Sequence, residues 1–254
     1  MSGESTTRTA PGTGTTGGTA TAGGKAGHVL SGIAVALGCV LFLGGFAWAA
    51  VLYRPYTVPT GSMEPTVRPG DRVLGERIDG SQVRRGDVVV FTDSVWGEVP
   101  LVKRVVAVGG DTVKCCDKQG RLEVNGKALD EPYLDGPGPA SLTSFEVKVP
   151  QGQLFMMGDN RATSEDSRAH MTDGDTGAVP RSAVTARVDA TLWPLGRMGM
   201  LPYTGDGSPF AALPGGVSEP GPLRFIALAV VAGVVLIFGG AAYGPVADRL
   251  ARRR

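Results

Sequence analysis

Histidine is nearly absent from this 254-residue chain: there are two, His28 and His170. A Ser-His-Asp triad therefore has only His170 to rest on. The three cysteines, Cys39, Cys115 and Cys116, lack the paired C-x-x-C spacing of a zinc site. No metal or cofactor is expected. Charge of one sign is lacking as well. The formal net charge is +1, so no field of one sign points to nucleic acid or an acidic substrate. The adjacent Cys115-Cys116 pair leaves three options open: a vicinal disulfide, an intermolecular bond, or free thiols.

What the chain does have is two long uncharged apolar runs. Residues 1–28 are mostly Gly, Thr, Ser and Ala and offer no apolar face, which reads as a disordered tail. Residues 29–52 carry no charge and have the length a helix needs to cross a bilayer. Trp48 and Tyr53 lie at one end, where amphipathic aromatics favour the interface. A cleavable signal peptide is the rival reading, because Ala47-Trp48-Ala49 is a small-x-small site. The run is longer than an ordinary signal-peptide core, which favours a retained anchor. A second uncharged run, within 223–244, precedes a tail, 245–254, rich in arginine. Basic residues beside a span stay on the cytoplasmic side. Both termini are therefore expected inside, with the intervening chain on the extracytoplasmic face of the plasma membrane. The competing reading of the second run is a buried core helix.

Between the runs, helical periodicity is hard to find. Short β-branched stretches alternate with Gly, Pro and Asp turns. Strands are expected at Asp87–Thr92, Leu101–Val108, Leu122–Val124, Phe145–Val149, Gln153–Met157 and Val184–Trp193. Asn125-Gly126 supplies the positive φ angles of a tight hairpin. Prolines 132, 137 and 139 suggest an exposed loop. The expected fold is mainly β: an antiparallel β-rich domain over 54–195, a Pro/Gly-rich linker over 196–222, and a transmembrane helix on either side.

Three local features stand out. Pro59, Gly61 and Pro65 make a rigid turning path that can hold the Ser62 hydroxyl out of the sheet; a serine between Gly and Pro is also common in plain turns. Lys103 interrupts an apolar strand, and alternation puts it on one face with Leu101 and Val105. Loss of hydration there lowers a lysine's pKa, and a neutral amine can take a proton from a serine. The alternative is a surface lysine whose stem covers apolar area. Finally, Gly158–Arg168 packs Asp159, Asn160, Arg161, Ser164, Asp166 and Arg168 into one loop able to form a satisfied polar network, or simply a solvated one.

Taken in order, PTGSMEPT (59–66), VKRVVAVGGD (102–111) and GDNRATSEDSR (158–168) resemble the signature blocks of the bacterial type I signal peptidases. The resemblance covers roughly 45–195, and a C-terminal span is similar to that of high-GC Gram-positive members. It implies a membrane-bound serine endopeptidase that removes signal peptides from secretory preproteins after small-x-small motifs. On the matching positions, Ser62 is the nucleophile and Lys103 the general base. The Ser62 N–H and the Thr60 hydroxyl form the oxyanion hole, where the family usually has Ser in place of Thr60. Ser164 orients the lysine, and Asp159, Arg161, Asp166, Arg168 and Arg104 are supports. Val58, Met63, Val67, Leu101, Val102 and Met156 are the candidate walls of shallow pockets for small side chains. Ala162 and Thr163 depart from the family's usual Asp or Asn. The partners implied are preproteins and the lipid bilayer, with no nucleic acid and no oligomeric state specified. Two alternatives stand beside it: a self-cleaving Ser–Lys repressor, which the two spans disfavour, and an inactive membrane-anchored scaffold.

Overall fold

A computed structural model describes residues 22–136, 138–173 and 175–251. Residues 1–21 of the expected tail lie outside them, while 22–28, expected to be disordered with the tail, are helical and continuous with the apolar run that follows. The chain divides into two units. One holds residues 22–44 and 229–251, the other 45–228.

The first unit is a pair of helices, from α1 (Ala22–Leu52) and α2 (Leu223–Ala251). Both are centred on uncharged runs rich in Ala, Val, Leu, Ile and Gly, with charged residues only towards the helix ends. A backbone in lipid must satisfy its polar groups internally, and a helix does so. Gly27–Leu52 and Leu223–Ala247 have mean hydropathies of 2.3 and 2.6, long and apolar enough to cross a membrane. Val29, Ile33, Val40, Phe225, Val231 and Phe238 are all exposed. That removes the buried-core reading of the second run, since a core helix hides such side chains. Within the unit the helices touch through small residues. The Ser31 hydroxyl donates to the Gly240 carbonyl at 2.6 Å. A Cβ on Gly38 would sit 2.8 Å from the Gly233 carbonyl oxygen, the close backbone approach that small residues allow in membranes.

The second unit is almost entirely β. Its strands are β1 (Tyr53–Thr57), β2 (Arg72–Glu76), β3 (Val88–Asp93), β4 (Gly97–Val108), β5 (Thr112–Cys115), β6 (Leu122–Val124), β7 (Lys127–Ala128), β8 (Phe145–Lys148), β9 (Gln153–Met157), β10 (Val179–Pro180), β11 (Val184–Trp193) and β12 (Gly199–Met200). The large sheet runs β1-β2-β11-β3-β4-β9-β10, with β12 beside β11; the small sheet runs β7-β6-β5-β8. Every pairing is antiparallel. The β6–β7 hairpin turns on Asn125 (φ 53°) and Gly126 (φ 75°), as the Asn-Gly pair predicts.

Alternation along β4 splits its side chains between two cores. Leu101 and Val105 pack with Val89, Phe91, Leu154 and Met156. Val102 packs with Val58, Met63, Val67, Val88 and Val90. A third cluster joins the small sheet to Phe155, Met157 and Phe210. The stretch 196–222, expected to be a linker, is structured on the domain. It contains β12 and three 3-10 turns, and it buries Leu201, Phe210 and Leu213. Its glycines and prolines make the turns, while three apolar anchors hold it down. The sulfurs of Cys115 and Cys116 are joined as a vicinal pair.

Candidate active site

Ser62 sits in a 3-10 turn, Gly61–Met63, preceded by extended Thr60. Met63 is fully buried and pins the turn to the core, leaving Ser62 half-buried at its edge. Lys103 lies in the middle of β4, opposite Val89 of β3. It is only 4% exposed, so the surface-lysine alternative does not hold. The two side chains line one cavity of about 280 Å³, together with Thr60, Gly61, Trp96, Leu101, Thr163, Glu165 and His170.

Burial drives the Lys103 amine down to about 8, because desolvation disfavours its cation. Asp166 works in the opposite direction, and Arg168 offsets part of that pull. Lys103 Nζ donates to Ser164 Oγ at 3.0 Å. Thr60 Oγ1 donates to Ser62 Oγ at 3.3 Å. No hydrogen bond links Ser62 to Lys103 directly among the described residues. Catalytic hydrogen bonds often tighten only once substrate is bound.

The supporting residues form a continuous network. Arg104 is fully buried and pairs with Asp159 through two hydrogen bonds, of 2.8 and 2.7 Å. Its guanidinium lies 3.9 Å over the Tyr133 ring. Thr66, four residues beyond the serine, donates to Asp159 at 2.5 Å. Arg168 makes a two-pronged pair with Asp166 at 2.8 Å per contact. Burial pushes Asp166 up, but Arg168, the Gly158 N–H and the Ser164 hydroxyl hold it below the usual carboxylate range. Arg161 pairs with Glu131 at 2.6 and 2.9 Å.

The candidate pocket walls divide. Leu101 lines the cavity with Ser62 and Lys103. Met63, Val67 and Met156 have no exposed surface, and Val58 and Val102 almost none. Several contributors escaped the sequence reading. Gly158 is one: a Cβ there would lie 2.2 Å from Ser164 Oγ and 2.3 Å from the Ser62 carbonyl. Only glycine lets the nucleophile turn and the lysine's hydroxyl partner meet. Trp96 stacks on His170 at 4.6 Å, and His170 Nδ1 lies 2.8 Å from Asp173. Tyr133 and the Glu131 carboxylate are buried although they flank Pro132 in a loop expected to be exposed. Nothing local to that loop signals a partner 30 residues away.

The family described as "Signal peptidase, peptidase S26" matches residues 29–193. The chain belongs to the signal peptidase family. It is a serine endopeptidase of that family, with signal peptidase function. A probable signal peptidase I of Mycobacterium leprae is 36% identical over 204 residues, covering 58% of this chain and 70% of that protein. Signal peptidase I of Mycobacterium tuberculosis is 35% identical over 228 residues, covering 68% of this chain and 74% of its own. A crystal structure of a signal peptidase I from Enterococcus faecalis shares 26% identity. It covers 41% of this chain and 94% of that one, with a TM-score of 0.33.

Proposed function

We propose that this signal peptidase cleaves signal peptides from exported preproteins, after small-x-small motifs, with Ser62 and Lys103 as a catalytic dyad. The observation that carries the reading is the buried lysine. Among the described residues Lys103 forms no ion pair with a carboxylate; its amine is lowered to about 8, and it shares one cavity with Ser62.

The chemistry follows from that state. Neutral Lys103 Nζ takes the Ser62 proton as Oγ bonds to the scissile carbonyl carbon. The carbonyl oxygen becomes an oxyanion, held by the Ser62 N–H and the Thr60 hydroxyl. The C–N bond breaks as the ammonium of Lys103 returns its proton to the leaving amine, giving an acyl-enzyme. Lys103 then deprotonates a water that attacks the ester. The acid product leaves, and Ser62 regains its proton. Ser164 keeps the amine aimed, while the Arg104–Asp159 and Arg168–Asp166 pairs fix the loop that carries Ser164.

The small-x-small preference is inferred from the family. Of the residues expected to wall the pockets, Leu101 alone lines the cavity, while Val58, Met63, Val67, Val102 and Met156 lie buried in the cores behind it. An extended chain could still pair with the exposed backbone beside them. The two apolar helices support an anchored enzyme with both termini cytoplasmic and the β domain extracytoplasmic. In that arrangement, boundaries near 29–52 and 223–244 serve as the spans and 245–254 as the basic tail.

His170 gives a second reading of the base, since it lines the same cavity and is paired with Asp173. The test is cleavage of a purified preprotein by the full chain in detergent, with N-terminal sequencing of the product. Loss of cleavage in Ser62→Ala and Lys103→Met, with His170→Ala still active and cutting after small-x-small, supports the dyad. Cleavage by Lys103→Met that vanishes in His170→Ala assigns the base to the histidine.

A further inference from the structure

Asn160 holds the backbone on both sides of Ser62. Its N–H donates to the Ser62 carbonyl at 3.0 Å. Its Nδ2 donates to the Gly61 carbonyl at 3.2 Å. Its own carbonyl accepts the N–H of Ser164 at 3.0 Å and that of Thr163 at 3.3 Å. One residue thus grips the peptide before the serine, the peptide after it, and the backbone of the hydroxyl that contacts Lys103.

The geometry points to Asn160 as the positioning residue of the oxyanion hole: its side-chain amide fixes the Gly61–Ser62 peptide, whose N–H faces the developing oxyanion. This deepens the reading of the Ser62 N–H as an oxyanion donor and rests on it. A peptide is planar, so holding its carbonyl fixes the direction of its N–H. The Gly61 carbonyl also accepts the Glu64 N–H at 3.1 Å. Donors at a carbonyl polarise the peptide and make its N–H a stronger donor. Preorganisation of this kind acts on the transition state, because the ground-state carbonyl bears less charge.

Asn160 is itself held on both flanks. Asp159 is locked by Arg104 and Thr66, and Arg161 by Glu131. Removing the Asn160 side chain leaves those pairs and the backbone N–H intact. The loss is therefore confined to the Gly61 contact.

The experiment compares Asn160→Ala with wild type in detergent, following kcat and KM for a peptide substrate across pH. It also compares the affinity of a peptide aldehyde, which forms a tetrahedral adduct, with that of an uncleavable peptide of like sequence. The expected result is a fall in kcat of about 10- to 100-fold, with KM within about twofold and the pH midpoint unmoved. Aldehyde affinity falls in parallel, and uncleavable-peptide affinity does not. Asn160→Asp keeps the shape and the backbone bonds but replaces the Nδ2 donor with an acceptor facing a carbonyl. It is expected to lose at least as much kcat, and it stands in if the alanine variant fails to fold. A kcat within about twofold of wild type overturns the assignment, as does a loss accompanied by a shifted pH midpoint or an equal fall in peptide binding. Ser62→Ala is run alongside. Cleavage by that variant overturns the serine mechanism and this assignment with it, whereas retained activity in Asn160→Ala alone overturns only the assignment.

Discussion

Lys103 and Arg104 are neighbours on one strand, both cationic and both buried, yet their surroundings differ in kind. Each guanidinium nitrogen of Arg104 has a partner: two donate to Asp159 and one to the Gly86 carbonyl, and the group lies over the Tyr133 ring face. Burial opposes its charge, but Asp159 and its hydrogen bonds outweigh that and hold the guanidinium above its usual range. Lys103 has one neutral hydroxyl, Ser164, and a carboxylate, Asp166, already engaged by Arg168. Desolvation wins there, and the amine falls to about 8. Alternation on β4 sends one cation into a satisfied network and the other into the cavity of Ser62. The contrast separates a charge used to build from one made easy to discharge.

The sharpest break of that contrast is in activity. Ser62→Ala and Lys103→Met each lower kcat/KM by about 10⁴- to 10⁶-fold while the chain stays folded, measured by preprotein cleavage and circular dichroism. On the other side of the strand, Arg104→Met strands the buried Asp159 carboxylate. It lowers unfolding free energy by about 3–5 kcal/mol, read by thermal melts in detergent. Gly158→Ala strikes where the two sides meet, because its methyl group collides with Ser164 Oγ and the Ser62 carbonyl. An expected loss of about 100-fold in kcat follows from displacing the reacting groups by about 1 Å. Thr60→Val removes one oxyanion donor and lowers kcat by about 10²- to 10³-fold, whereas Thr60→Ser retains activity.

The smallest effect concerns stability and runs the other way. Lys103 is depressed in the fold, so between its folded value near 8 and the ordinary 10.5 the unfolded chain binds more protons. Stability from this group therefore rises with pH across that window, and the full cost of burying the cation is present below it. Lys103→Met is predicted to stabilise the fold at pH 7 by on the order of 1–3 kcal/mol, with the gain fading above pH 10. A destabilised Lys103→Met at pH 7 would show that the lysine supports the fold as Arg104 does.

Much of the β domain was legible in the chain. Leu122–Val124, Gln153–Met157 and Val184–Trp193 appear as strands with the bounds that β-branched runs between turn residues suggest. Short strands such as β5, β10 and β12 lack enough residues to show alternation. Segment 196–222 was misread because its glycines and prolines outnumber the few apolar anchors, and one buried Phe210 outweighs many turn residues. At the site, Lys103 stood out because it broke an apolar strand. Asn160 was visible only as one polar residue of a dense loop, and Glu131 and Tyr133 not at all. Asn160 reaches Gly61 99 residues away and Glu131 reaches Arg161 30 residues away, and no local pattern records such contacts.

The central claim is that a discharged Lys103 activates Ser62, and the pH dependence of kcat/KM tests it most directly. Wild type should rise through an apparent pKa near 8, and Lys103→Met should show no such limb. A wild-type profile that rises through the ordinary histidine range near 6.5 and is lost in His170→Ala would contradict the account.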